Sequence, residues 1–140
     1  MKATKLPLSL LALAIAFVAG IDAQPAAGQT FGRTILERSN ATSAVNCAKL
    51  RNTLTRLDNA TVENPVLIKI EAGIFDCRAT PVAMKRFVTI EGAGRSFSRI
   101  IGNPDGLDEA VIIGANEAAL RHLSVEHAAN GSGQAIAIHT

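Results

Sequence analysis

The chain has 140 residues, with 14 Lys and Arg against 12 Asp and Glu for a net charge of +2, and it lacks both Trp and Tyr. That length suffices for one domain and not two, and so small a charge excludes strong attraction to nucleic acid or to an acidic membrane surface. Without Trp or Tyr the chain has few of the amphipathic aromatics that suit a wet contact site, so composition argues against dedicated sugar binding.

Lys2 and Lys5 precede an apolar run from Leu8 to Ala19, and small residues follow, which is the pattern of an export leader. Cleavage after Ala23 removes Lys2, Lys5 and Asp22 and leaves a net charge of +1. The uncharged stretch from Leu6 to Ile21 is shorter than the roughly 20 residues of a spanning helix, so a retained anchor is the weaker alternative. The expected product is secreted, periplasmic or held at the cell surface, with no membrane contact after cleavage. Residues 1–23 read as the signal peptide, 24–38 as a small-residue linker, and 39–140 as the folded part.

The stretch SNATSAVNCAKLRNTLTRLDNA reads as a helix over Ser43 to Leu57. Cys47, Leu50, Leu54 and Leu57 recur at three- and four-residue steps and make one apolar face. Ser39, Asn40, Thr42 and Ser43 offer oxygens for its N-cap.

Cys47 and Cys77 are the two cysteines. In an oxidising compartment a bond between them would close a loop of about 31 residues and contribute roughly 3–4 kcal/mol on the chain-entropy model. Two separate buried thiols suit the sequence equally, since Cys packs as a small apolar group.

Beyond Pro65 the apolar period changes to two. VLIKI, RFVTIEGAG, RIIGN, AVIIGAN, RHLSVEH and QAIAI are short, rich in β-branched residues, and punctuated by Gly, Asn or Asp. The apolar pairs Ile68/Ile70, Val88/Ile90 and Val111/Ile113 lie 20 and 23 residues apart. Such spacing, with several short strands per unit, favours a coiled strand solenoid in which those pairs stack on one another. An antiparallel sandwich is the competing architecture.

The segments LIKIEAGIFDC, VTIEGAGRSFSRIIGN and AALRHLSVEHAANGSGQAIAI resemble the N-terminal part of a pectinesterase, within the pectin-lyase-like group. The likeness covers Pro65 to Ile138 and rests mainly on scaffold motifs. Ala72, Phe75 and His127 depart from the Pro, Tyr and Asn of the family pattern. The resemblance implies an all-β fold, a right-handed parallel β-helix with an N-terminal capping helix.

It also makes Gln134 a candidate oxyanion donor in ester hydrolysis, a role for which a neutral amide is suited. The family's catalytic aspartates and substrate-orienting arginine would follow Gln134, and six residues follow it here. One donor without a nucleophile is not a catalytic site, so no catalytic set is assigned.

Asp105, Asp108 and Glu109 are candidate ligands for a hard cation, although their loop lacks calcium-loop spacing and reads more simply as a solvated turn. His122, Ser124 and Glu126 alternate, and His127 and His139 lie near enough in sequence to be weighed as further ligands, yet the spacing matches no tight zinc motif. Gly92 and Gly94 form a lone Gly-x-Gly that reads as a turn, and no cofactor is implied. Sequons stand at Asn40, Asn59 and Asn130.

The expected function is therefore an exported, non-catalytic β-helix module, a surface scaffold or polysaccharide-associated protein. The alternative is a truncated pectinesterase-type enzyme acting on methylated polyuronides. Expected partners are a polysaccharide, or a second copy or further chain segment joined through the apolar strand ending at Ile138.

Overall fold

The computed structural model describes residues 30–40, 42–104 and 110–128, and the backbone of 136–139. In chain order its elements are β1 (Arg33–Glu37), α1 (Ser43–Thr55), β2 (Val66–Ile70), β3 (Gly73–Asp76), β4 (Val82–Ala83), β5 (Val88–Glu91), β6 (Ser98–Gly102), β7 (Ala110–Ile113), β8 (Ala119–Arg121), β9 (Ser124–His127) and β10 (Ile136–His139). They form three parallel sheets in the orders β1-β2-β5-β8, β3-β6-β9 and β4-β7-β10. From β2 onward the chain visits the first, second and third sheet in rotation. Neighbours in a sheet are thus one full circuit of chain apart.

Short β-branched strands suit this arrangement because each has one face to bury. Ile35, Ile68, Ile90 and Leu120 stand in line across the first sheet. Phe75, Ile100 and Val125 do so across the second, and Val82 and Ile112 across the third. Ile68, Ile90, Phe75, Ile100, Val82 and Ile112 are fully buried, and all belong to one core.

The stacking expected from the apolar pairs is corrected. Ile68 meets Ile90, not Val88, and Ile90 meets Leu120. Val111 and Ile113 lie in β7 of the third sheet, opposite β4. The cause is unequal circuits: the repeat is 25 residues from Phe75 to Ile100 and from Ile100 to Val125, but 22 from Ile68 to Ile90 and 30 from Ile90 to Leu120. Apolar pairs alone do not tell which strand of a circuit they occupy.

The stretch read as a linker, 24–38, carries β1, which extends the first sheet beyond β2. Its residues are mostly exposed, with Ile35 partly buried against the core, so its order comes mainly from pairing with β2.

The helix α1 buries Asn46, Cys47, Leu50 and Leu54, and Leu57 is buried just past its end. It packs mainly on β3, with edges against β1 and β4. The expected side-chain cap is absent: Thr42 occupies the N-cap position with no side-chain bond, and its carbonyl accepts from the N–H groups of Val45 and Asn46. Asn46 ties the region together instead. Its Oδ1 accepts from the Asn40 N–H at 2.6 Å, and its Nδ2 donates to the Ile74 carbonyl at 2.9 Å. Arg51 Nη1 donates to the Thr80 carbonyl at 2.9 Å. Cys47 and Cys77 are joined by a disulfide, with Cα atoms 5.2 Å apart, which pins α1 to the residue after β3.

Candidate functional site

The second sheet presents its outer face through β6 and β9. In β6, Ser98 and Ile100 point into the core, and alternation turns Arg99 outward together with Phe97, the residue before the strand. In β9, Ser124 and Glu126 take the outward positions, and register sets Arg99 opposite Ser124.

The turn from Gly92 to Phe97 leads into this face and is held from several sides. The buried Ser98 hydroxyl donates to the Glu71 carbonyl at 3.0 Å, and its oxygen accepts from the Ala93 N–H at 2.8 Å. The Gly94 N–H donates to the His122 carbonyl, and the Gly94 carbonyl accepts from Phe97 and Ser98. Gly92 is required by close approach, since a Cβ there would lie 2.6 Å from the His122 carbonyl oxygen. A turn fixed this firmly holds Arg95 and Ser96 in place at the sheet's rim.

Arg99 grips Glu126 with two parallel bonds, Nε to Oε1 at 2.8 Å and Nη2 to Oε2. Ser124 Oγ donates to Glu126 Oε1 at 3.0 Å. The Arg99 hydrogen bond is the main reason the Glu126 carboxyl is held below its usual range, and the same bond raises Arg99. With its oxygens engaged and its charge matched, Glu126 is poorly placed to serve as a nucleophile or as an acid near neutrality.

Arg95, Ser96, Arg99, Ser124 and Glu126 line an open groove of about 680 Å³. Phe97, 65% exposed, and Ile74, whose register partner is Arg99, add apolar surface to the same side of the sheet. Arg95 makes no hydrogen bond or ion pair with any described residue, whereas Arg99 is fully matched by Glu126. Two smaller apolar hollows lie elsewhere, one beside β7 and β8 around Met84, Ile112 and Leu120, the other between α1 and the third sheet.

Gln134, the three acidic residues Asp105, Asp108 and Glu109, and Asn130 lie outside the described residues, as does the leader. His122 falls between β8 and β9 with a positive φ of 52°, so it leaves the alternation that Ser124 and Glu126 keep. His127 has a buried Nδ1 without a hydrogen-bond partner among the described residues. No group of three His, Cys, Asp or Glu among the described residues is placed to hold a metal ion. Asn59 is exposed in the loop after α1, and Asn40 is bound to Asn46. No described helix is long and apolar enough to cross a membrane.

Sequence reasoning singled out Ser124 and Glu126 but passed over Arg95, Ser96 and Arg99. Arg99 becomes visible only through the 25-residue register between β6 and β9. No family model, curated protein or solved structure matches this chain.

Proposed function

We propose that this chain is an exported module, built as a right-handed parallel β-helix, which associates with polysaccharide through the outer face of its second sheet. Strands rotating through three parallel sheets support the coil, and the strong preference of parallel crossovers for a right-handed path supports its hand. A disulfide between Cys47 and Cys77 suits an oxidising compartment, as the leader does. The likeness to the pectinesterase motifs agrees with this architecture.

The observation that carries the binding role is the open groove of Arg95, Ser96, Arg99, Ser124 and Glu126 beside the exposed ring of Phe97. Small-molecule sites are usually enclosed and mainly apolar. This groove is open and lined by hydroxyls, guanidinium groups and a carboxylate, so it suits a hydrated chain that passes across the surface. The Phe97 ring offers an apolar face for a sugar ring, the service that Trp and Tyr more often perform.

Retention on insoluble cellulose, xylan, chitin and a cross-linked polyuronide tests this directly. The expected result is retention on at least one matrix, reduced about tenfold by Phe97→Ala, a loss typical of one good contact. Arg95→Ala should weaken retention as well, with an unchanged melting temperature in both variants. Absence of retention on all four matrices, or equal retention by wild type and variants, overturns the proposal.

A further inference from the structure

We propose that the Cys47–Cys77 bond is a thiol-operated latch: while it is closed α1 stays seated over the edge of the second sheet, and when it is opened α1 detaches while the later strands remain folded. The helix is weak on its own account. It has 13 residues, near the lower limit for independent stability, and no side-chain cap at Thr42. Its first turn has no acidic residue, so the N-terminal end of the helix dipole is uncompensated, while Arg56 stands at the C-cap. Val45, Asn46, Cys47, Asn52, Thr53 and Thr55 are all weak helix formers.

What seats it is therefore tertiary. Leu50 and Leu54 are buried beneath it, and Asn46 and Arg51 occupy the Ile74 and Thr80 carbonyls along the border of the second sheet. The bond from Cys47 to Cys77 is the one covalent tie between helix and sheet. Cys47, Leu50 and Leu54 close one end of the shared core, but α1 packs on β3, β1 and β4, and the later strands keep backbone partners of their own: β5 pairs with β2 and β8, and β6 with β3 and β9. Loss of the helix removes one cover and leaves those ladders whole.

Both cysteines are buried, so a dithiol reaches the sulfurs only when the helix lifts for a moment. One thiolate of the reagent then attacks a sulfur of the protein bond, which breaks to give a mixed disulfide and one free thiolate. The second thiolate of the reagent displaces the other cysteine. Two protein thiols and one cyclic disulfide result, with two electrons passed from reagent to protein.

Hydrogen exchange of the full chain, before and after treatment with dithiothreitol, tests the latch. Exchange of residues 43–55 should rise about tenfold or more on reduction, while residues 88–102 keep their protection, as expected for a locally opening unit. Equal loss in both segments would make the bond a global staple and overturn the proposal, and no change in residues 43–55 would overturn it too. A Cys47→Ser, Cys77→Ser chain should exchange like the reduced protein. Adding Thr42→Asp should restore protection to α1 by supplying the missing cap; failure to restore it would mean that the weakness of the helix N-terminus is not what the bond compensates, and would overturn the proposal.

Discussion

Arg78 sits in the left-handed region at φ 52°, with its side chain 75% exposed and its nearest carboxylate, that of Asp76, 4.0 Å away. A left-handed conformation costs a non-glycine residue about 1–2 kcal/mol, and an ion pair so exposed offsets little of it. Arg78→Gly should therefore stabilise the domain by about 1 kcal/mol, read as a rise of several degrees in Tm. The Arg99–Glu126 clamp gives a second expectation at this scale. Because the folded-state pKa of Glu126 is lowered, the stability it contributes is complete above the ordinary carboxylate range and is lost as pH falls through the lowered value. The Tm difference between wild type and Glu126→Gln should hold steady from neutrality down to that range and shrink below it. A difference that does not depend on pH would mean the clamp is not ionic. Glu126 was legible as an outward residue from alternation alone, but its partner Arg99 was not, because register is a property of two strands and the circuits differ in length.

Among the elements, α1 was the most legible. Cys47, Leu50 and Leu54 repeat on one face and are buried, whereas the Asn46 clamp was hidden because a buried Asn gives no apolar signal. β1 was missed for the opposite reason: its residues are largely exposed, and nothing local marks them as a strand until β2 is placed beside them. Leu54→Asp should destabilise the contact between α1 and the core by several kcal/mol, since it buries a charge without a partner. An unchanged thermal unfolding curve would show that α1 is not seated there. Corners follow the same logic as strands. Phe87 and Glu117, at φ 58° and 59°, occupy register-equivalent places before β5 and β8. The Val88 N–H donates to the Lys85 carbonyl and the Ala118 N–H to the Ala115 carbonyl, so one turn is built twice from unlike residues. A repeat defined by backbone shape in this way leaves almost no trace in the letters of the sequence.

For the molecule as a whole, β-branched composition marked short strands and the spacing of the apolar pairs favoured parallel sheets over an antiparallel sandwich, but the order in which the chain visits them had to come from the structure. Where each strand pairs only with its neighbours in a parallel sheet, position along the sheet decides the cost of a truncation. Ile90, fully buried between Ile68 and Leu120, should lose about 2–5 kcal/mol on substitution by Ala. Val125, half-buried in the outermost described strand of its sheet, should lose less, and denaturant titrations of the two variants would rank them. The parallel ladders also give the molecule a mechanical grain. Hydrogen bonds between neighbouring strands lie across each sheet, so a pull in that direction strains one rung at a time and peels the sheets open at low force. A pull along the strands loads every bond of a ladder together in shear. At the α1 end the Cys47–Cys77 bond closes the chain from α1 to the end of β3 into a covalent loop, so a pull from that end cannot draw out β2 and β3 one after the other. Single-molecule extension should accordingly find the oxidised chain giving way first at the end remote from α1, and a reduced chain yielding at either end.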